Sequence, residues 1–346
     1  MKRLFSRVVL PLVPIVTLAM TTDARAQAAG YAVSPFDPSS PGSDWYATES
    51  LDLRGGLRPQ VGLLVDWAYA PLVVDGENGA RIRVLTDQLT VHTRSSLVIA
   101  HRFRFGVSSP LTIYQHGDSP VSPGREQAPG DPRLDADARL FGHYGETVRG
   151  AAGLELFAPM GRRELFTGDG TFRIAPRVLL AGDAKAFAWA AKVGFHYRPV
   201  DGAWAGRELG SQVTFALSAG VQVNDRFVIG PELLGAAVVT GADALDVRGV
   251  PIEALLGGKV RIANDWQVGS AIGGRLTDGD GGAKMRVLTV LEYAPDVCVD
   301  KDGDGICAYE DACPEADGPR TSRRKTNGCP APVPPPPDPD RDTLQD

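Results

Sequence analysis

The first 297 residues of this 346-residue chain contain no cysteine, and beyond residue 30 there is no run of 18 apolar residues. The second absence excludes a membrane-spanning helix in that region. An excess of basic charge is also missing, because 36 basic side chains stand against 42 acidic ones. A nucleic-acid-binding protein with a basic surface is therefore not indicated. The apolar content of 43% and charged content of 23% are ordinary, which excludes a wholly disordered chain.

Residues 1–26 have the features of a secretory signal peptide. Lys2, Arg3 and Arg7 form a positively charged start, and the mainly apolar stretch Val8–Met20 is too short to span a bilayer. Small residues at positions 24 and 26 form a cleavage site. The mature chain is predicted to begin near residue 27 and to reside outside the cytoplasm.

Between about residues 58 and 296 the sequence alternates apolar and polar residues with a period of two, which is typical of half-buried strands. In the clearest case, Val213, Phe215 and Leu217 alternate with small or polar neighbours. Turn residues divide the region into twelve predicted strands. Short turns are expected near residues 93–96, 146–149, 182–185, 224–226 and 263–265, and longer loops near 75–79, 116–133, 161–170, 200–207, 240–250 and 278–282.

This regular alternation of short turns and long loops favours one architecture. An even strand number, short turns on one side and longer loops on the other are typical of outer-membrane barrels, and aromatic residues near strand ends suit the membrane interfaces. We therefore predict an all-β fold: a transmembrane antiparallel β-barrel of about twelve strands, in contact with lipid of a Gram-negative outer membrane. A soluble β-sandwich or barrel is the alternative, with its apolar face turned inward.

In a membrane barrel the charged residues of each strand must face the lumen, because a lysine or arginine on the lipid face costs about 2–4 kcal/mol near the midplane. This rule places eleven basic and seven acidic side chains inside. They either form a salt-bridged network that fills a narrow barrel, or line a small pore with a mild preference for anions. The lumen residues singled out are Arg173, Arg177, Lys192, Glu232, Glu253, Lys259, Arg261, Arg275, Arg286 and Glu292.

All four cysteines, Cys298, Cys307, Cys313 and Cys329, fall in one short segment after the predicted barrel. An oxidising compartment would let them crosslink a segment that has little apolar core. Three pairings are possible, and we expect the two local ones, Cys298 with Cys307 and Cys313 with Cys329. Zinc is the weaker alternative, because no histidine lies nearby.

The same segment carries an acidic motif with carboxylates at alternate positions. Calcium takes six to eight oxygen ligands, and a glycine at the sixth position of the motif permits a sharp turn. An EF-hand shares this spacing but needs flanking helices, which the nearby Pro295 and Pro314 disfavour. We predict one calcium ion bound by four residues, with a solvated acidic linker as the alternative. These residues are Asp300, Asp302, Asp304 and Asp311.

Together with Asn327-Gly328-Cys329-Pro330, this motif resembles a thrombospondin type 3 repeat, in which the same four aspartates match ligand positions. Signal peptide, barrel, repeat and proline spacer together resemble OmpA-family outer-membrane proteins that carry such repeats, without their C-terminal peptidoglycan-binding domain. Residues 42–45 and 50–55 resemble the start of that group's barrel. The predicted segments are a signal peptide 1–26, an N-terminal periplasmic segment 27–57, a barrel 58–296, a calcium-binding repeat 297–330 and a proline-rich tail 331–346.

These features predict a non-catalytic outer-membrane protein whose barrel anchors a calcium-stabilised stalk in the periplasm, with a role in envelope structure or adhesion. Through its tail the stalk would meet the cell wall or a periplasmic partner. A porin-like channel for small solutes is the alternative. A surface hydrolase is the third possibility, and it depends only on His116 and Asp118 in the longest predicted loop.

Overall fold

The structure, a computed structural model, describes most of the chain from residue 30 onward. The predicted signal peptide, Cys298, Asp300, Cys307 and nearly all of the proline-rich tail lie outside the described residues. The described ranges are 30–75, 80–119, 122–200, 203–204, 207–224, 226–242, 244–262, 265–297, 302–304, 306, 311–321 and 326–331.

Twelve long strands account for most of the described chain. In that part no helix is long and apolar enough to cross a membrane. The strands are β1 Leu57–Asp75, β2 Arg81–Ile99, β3 Phe103–His116, β4 Arg133–Phe141, β5 Arg149–Phe157, β6 Arg173–Ala184, β7 Phe187–His196, β8 Gln212–Asn224, β9 Phe227–Val238, β10 Ile252–Arg261, β11 Trp266–Arg275 and β12 Met285–Tyr293.

The sheet closes on itself. Each strand pairs antiparallel with the next, and β1 pairs with β12 in a register that runs from Val61 opposite Tyr293 to Tyr69 opposite Met285. Closure leaves no sheet edge, so the backbone polar groups of the strands can pair without water. The prediction of a closed antiparallel barrel of twelve strands is confirmed.

The period-two pattern sorts side chains between the two faces of the barrel wall. In β10, Leu256 is 57% exposed on the outside, whereas Glu253 and Lys259 are 0% and 1% exposed in the interior. Apolar outer positions suit hydrocarbon, and the charged positions find partners inside. The outer surface is thus built to face lipid.

One predicted turn is wrong. Residues 93–96 lie within β2, paired on both sides with β1 and β3. There Arg94 points into the lumen and donates a hydrogen bond to Glu292 Oε1 at 2.6 Å. A polar lumen face has the same composition as a turn, which explains the error. The turn itself follows β2, where Ala100 and His101 take φ angles of 52° and 54°.

Residues 30–56, which we call the plug, run through the interior of the barrel. At the long-loop end, Arg163 Nε donates to the carbonyl oxygen of Gly30 at 2.9 Å. At the short-turn end, Gly55 N donates to His101 Nδ1 at 3.0 Å. Trp45 and Tyr46 are 2% and 1% exposed between these ends. The expectation of a periplasmic segment over residues 27–57 is therefore corrected, because residues 30–56 lie in the lumen and Leu57 begins β1.

Beyond the barrel, the described part of the tail contains a disulfide between Cys313 and Cys329, with Cα atoms 5.0 Å apart. This is one of the two predicted pairings. The expected link between Cys298 and Cys307 lies outside the described residues and stays a prediction.

Candidate functional site

The barrel interior is filled with ion pairs that join distant strands. The most deeply buried group centres on Arg286, whose Nε and Nη2 donate to the two oxygens of Glu253 at 2.7 and 2.9 Å. Its Nη1 donates to Asp66 Oδ2 at 2.5 Å. All three side chains are at least nine-tenths buried. One guanidinium thus connects β1, β10 and β12.

A second group connects the wall to the plug. Glu292 Oε1 accepts from Arg94 at 2.6 Å and from Lys259 Nζ at 3.3 Å. Its other oxygen accepts from the backbone N–H of Gly42 at 3.0 Å. The two cations also donate to plug carbonyl oxygens, Arg94 to Ser39 at 2.6 Å and Lys259 to Ser43 at 2.8 Å. The plug backbone therefore supplies hydrogen-bond acceptors for these two wall cations.

Glu232 on β9 anchors the middle of the plug. Its carboxylate accepts hydrogen bonds from the backbone N–H groups of Tyr46 at 2.7 Å and Ala47 at 2.9 Å. Ser218 Oγ donates to the same carboxylate at 2.9 Å and lies 2.6 Å from Thr48 Oγ1. Buried backbone N–H and C=O groups need hydrogen-bond partners. Because the plug has no regular secondary structure, wall side chains provide these partners here.

A larger network lies on the opposite wall. Arg177 donates to Asp137 and to Glu155, and Arg104 donates to Asp137 Oδ2 at 2.5 Å. Arg104 also reaches the plug, with its Nη1 2.8 Å from Glu49 Oε2. Carboxylates and guanidinium groups alternate here, so each charge has an opposite neighbour.

Eight of the ten predicted lumen residues are buried inside the barrel wall. Arg261 and Arg275 instead lie half-buried at strand ends. Arg261 donates to the carbonyl oxygen of Ala294 at 2.9 Å, and Arg275 pairs with Asp278 at 3.2 Å. The eight buried residues are Arg173, Arg177, Lys192, Glu232, Glu253, Lys259, Arg286 and Glu292.

A cavity of about 160 Å³ remains between the plug and the wall, in the half of the barrel nearer the long loops. Plug residues 32–38 form one side, and strand residues form the other. The cavity combines aromatic rings with charged groups and two histidines. Its lining includes Phe36 of the plug and, on the wall, Phe157, His92, His196, Arg133 and Lys192.

Above the cavity, an ion-pair cluster closes the plug's outer end. Asp169, in the loop between β5 and β6, accepts from Arg198 Nη2 at 2.7 Å and lies 3.1 Å from Arg173 Nη1. The same carboxylate accepts from the backbone N–H of Ala32 at 2.8 Å. Burial raises the pKa of the Asp169 carboxyl, but the neighbouring Arg198 and Arg173 outweigh this effect and hold the pKa below its usual range. Asp169 therefore stays ionised and fixes the start of the plug.

His116 and Asp118, the candidate hydrolase pair, lie at the end of β3 and in the loop that follows it. His116 Nε2 lies 3.5 Å from Asp118 Oδ1, and both side chains are about 40% exposed. The other Asp118 oxygen accepts hydrogen bonds from Arg83 Nε and Thr86 Oγ1, both at 2.9 Å. These contacts give Asp118 the role of an ion-paired residue that positions the loop.

Three of the four predicted calcium ligands lie within the described residues. Carboxylate oxygens of Asp302, Asp304 and Asp311 all lie within 4.8 Å of one another. Asp302 Oδ2 has no hydrogen-bond partner in the described part of the chain. Desolvation and the neighbouring carboxylates raise the pKa of Asp302 above its ordinary value. The arrangement fits a hard cation that would relieve this repulsion.

Sequence reasoning missed the plug, although one signal was present. The predicted lumen set carries four more basic than acidic side chains, whereas residues 30–56 hold four acidic residues and one basic residue. The acidic residues are Asp37, Asp44, Glu49 and Asp52. A segment of complementary charge directly before β1 is a candidate to enter the lumen.

No family profile and no curated protein sequence matches the chain. Among solved structures, it is similar to the COG4313 outer membrane channel from Pseudomonas putida F1, with 14% identity and a TM-score of 0.54 over 70% of this chain and 96% of that one. The NanC porin has 7% identity and a TM-score of 0.46, covering 68% of this chain and 100% of that one. The Pseudomonas putida toluene transporter TodX has 11% identity and a TM-score of 0.37, covering 78% and 98%.

Identities this low show the fold alone, and the NanC and TodX likenesses are too distant to carry an argument. The fold is that of an outer-membrane β-barrel. These likenesses give no support to the resemblance to the OmpA family or to a thrombospondin type 3 repeat.

Proposed function

We propose that this protein is an outer-membrane channel for small solutes whose lumen is closed by the plug in the state described. The observation that carries the proposal is the plug itself, since a dedicated segment occupies the passage through noncovalent contacts. The cavity at its outer end supplies space for a solute of limited size. The likeness to an outer membrane channel supports this function better than a barrel that serves only as an anchor.

The contacts between the plug and the wall hold the plug in place but allow it to dissociate. The plug and the wall are joined by hydrogen bonds and ion pairs. When the two partners separate and become hydrated, bonds to water replace these contacts, so the net free-energy cost is modest. A segment needed only to fill the lumen would be served as well by apolar side chains, because replacing buried ion pairs with apolar groups is often neutral or stabilising. The charged interface therefore favours a plug that can leave.

A reversible crosslink between plug and wall tests this function. Thr48 Oγ1 and Ser218 Oγ are 2.6 Å apart, so a Thr48→Cys/Ser218→Cys variant places two thiols at bonding distance. In planar lipid bilayers we expect the purified full chain to show channel openings, and the oxidised variant to show none. Reduction should restore the openings.

The two single-cysteine variants and the reduced parent protein are the controls, because reductant also breaks the disulfide of the tail. Openings of equal size and frequency in the crosslinked variant would contradict a plug that gates the lumen. Silence of the parent protein under every voltage and solute condition would contradict the channel function itself.

For the tail, we propose that Asp302, Asp304 and Asp311, with Asp300, bind one calcium ion and order the segment. Existing contacts hold the carboxylates in place: Asp304 Oδ1 accepts from the backbone N–H of Ile306 at 2.7 Å, and Asp311 Oδ1 accepts from that of Cys313 at 2.8 Å. Support comes from the three clustered carboxylates. A calcium-stabilised stalk that meets the cell wall or a periplasmic partner stays a prediction.

Proteolysis with and without a chelator tests the calcium site. If the affinity resembles that of extracellular calcium modules, about 10⁻⁴ M, then about 1 mM calcium stabilises the segment by roughly 1.4 kcal/mol. We expect trypsin to cleave at Lys301 and near Arg320 about tenfold faster after chelation. Asp302→Ala should abolish this dependence, and Asp317→Ala, outside the cluster, should preserve it. Equal cleavage rates with and without chelator would show a plain acidic linker.

A further inference from the structure

One plug carboxylate lies on the cationic wall of the cavity. Arg133 Nη1 donates to Asp37 Oδ1, and Lys192 Nζ lies 3.7 Å from Asp37 Oδ2. Arg133 and Lys192 are 2% and 8% exposed. Asp37 itself belongs to the plug stretch that borders the cavity. A plug side chain thus provides the anion that two buried wall cations share.

The two cations differ in how well they are paired without the plug. Arg133 has wall partners, with its Nε 3.2 Å from Asp135 Oδ1 and its Nη1 3.6 Å from Glu155 Oε1. Lys192 has no ion-pair partner other than Asp37 in the part of the chain that the structure describes, and 3.7 Å is beyond hydrogen-bond distance. A buried ammonium in this position gains from a carboxylate that can approach more closely.

The adjoining cavity has room for such a carboxylate. Its volume of about 160 Å³ is close to that of a cavity of about 150 Å³ that takes up benzene. Phe157 of the wall and Phe36 of the plug contribute aromatic surface, and Lys192 lines the same space. Size and lining together select a compact anion with an apolar body of one ring.

We propose that Lys192 and Arg133 form a binding site for a small organic monocarboxylate, and that Asp37 occupies this site as an internal substitute while the plug is closed. The proposal rests on the channel function and names its substrate class. A solute carboxylate competes with Asp37 for the same cations. Binding of the solute therefore shifts the equilibrium toward the state in which the outer part of the plug has left the wall. The size of the shift equals the difference in the solute's affinity for the two states.

Titration calorimetry of the full-length protein in detergent, with benzoate as the probe, tests the site. Asp37→Asn removes the internal competitor while keeping its shape, so benzoate affinity should rise by about tenfold or more. Lys192→Gln removes a cation whose ion-pair partner among the described residues is Asp37, so affinity should fall by a similar factor. Lys192→Arg should retain binding, which separates loss of charge from loss of folding.

Two comparisons make the test specific. Asp52→Asn also removes a plug carboxylate, but at the short-turn end, where Asp52 Oδ2 pairs with Arg58 at 3.0 Å, so benzoate affinity should not change. Benzyl alcohol has a similar size without the charge and should bind far more weakly. Equal affinities for the parent, Asp37→Asn and Lys192→Gln proteins, or equal binding of benzyl alcohol, would overturn the proposal.

The outcome also separates this proposal from the channel function. Benzoate binding with the expected variant pattern in a protein that conducts nothing would support the carboxylate site and contradict the channel. Openings that the Thr48–Ser218 crosslink abolishes, combined with benzoate affinity that ignores Asp37 and Lys192, would support the channel and overturn the site.

Discussion

Replacing Arg286 by methionine is expected to lower the free energy of unfolding by about 3–5 kcal/mol, because it leaves two buried carboxylates without their cation. Arg286 and Glu253 are both 0% exposed, and Asp66 is 5% exposed. Every nitrogen of the guanidinium donates a hydrogen bond, with Nη2 also reaching Ser34 of the plug at 3.2 Å. Equilibrium urea unfolding of the protein refolded into lipid vesicles measures the change.

An exposed ion pair of the same barrel is the matched control. Arg81 Nη2 lies 3.1 Å from Asp278 Oδ2, with side chains 59% and 56% exposed. Arg81→Met should therefore cost no more than about 1 kcal/mol. If Arg286→Met cost as little, the Asp66 and Glu253 carboxylates would be hydrated rather than desolvated. That result would indicate a lumen filled with water around the plug.

The barrel wall could be predicted from sequence because lipid enforces a local rule. In β10, Glu253 and Lys259 alternate with Leu256, and the cost of a charge in hydrocarbon fixes which set faces inward. The same rule caused the error at residues 93–96, since a strand whose inner face is polar throughout has the composition of a turn. The real turn at Ala100 and His101 has no glycine, asparagine or aspartate to mark it.

The plug could not be placed by any local rule. It has no period, and each contact that fixes it joins residues far apart in sequence, as between Tyr46 N and Glu232, which are 186 positions apart. Such contacts follow from the position of the plug in the closed barrel and not from the local sequence. Lys192 was predicted to face the lumen, but Arg133 was not, and their shared partner Asp37 lies in a segment that was predicted to be periplasmic.

Trp45 makes a large apolar contact between the plug and the wall. Trp45 is 2% exposed and packs in a recess of small wall residues. Alanines at these positions leave a space that a large ring fills, so the two surfaces are complementary. Leu51 of the plug enters the same cluster, which includes Ala151, Leu179, Ala181, Ala188, Ala190 and Val228.

Trp45→Ala is therefore expected to open the channel. Removing a buried tryptophan costs about 3–5 kcal/mol, and each 1.4 kcal/mol is about a tenfold change in an equilibrium. Because Trp45 contacts the wall only while the plug is in place, the loss acts on plug closure, and the open fraction should rise between about a hundredfold and a few thousandfold. Single-channel recording in planar bilayers measures this fraction directly, with Trp45→Phe expected to lie between the parent and the alanine variant.

Trp266→Ala provides the control, because Trp266 is 43% exposed on the outer face and packs against Tyr293 rather than the plug. It should leave the open fraction unchanged. A band shift on boiling verifies that each variant contains a folded barrel before conductance is compared. If a folded Trp45→Ala barrel opened no more often than the parent, the plug would be held by its polar contacts to Glu232 and Glu292 and by its other apolar residues, such as Phe36 and Tyr46. The aromatic contact would then serve barrel stability rather than gating.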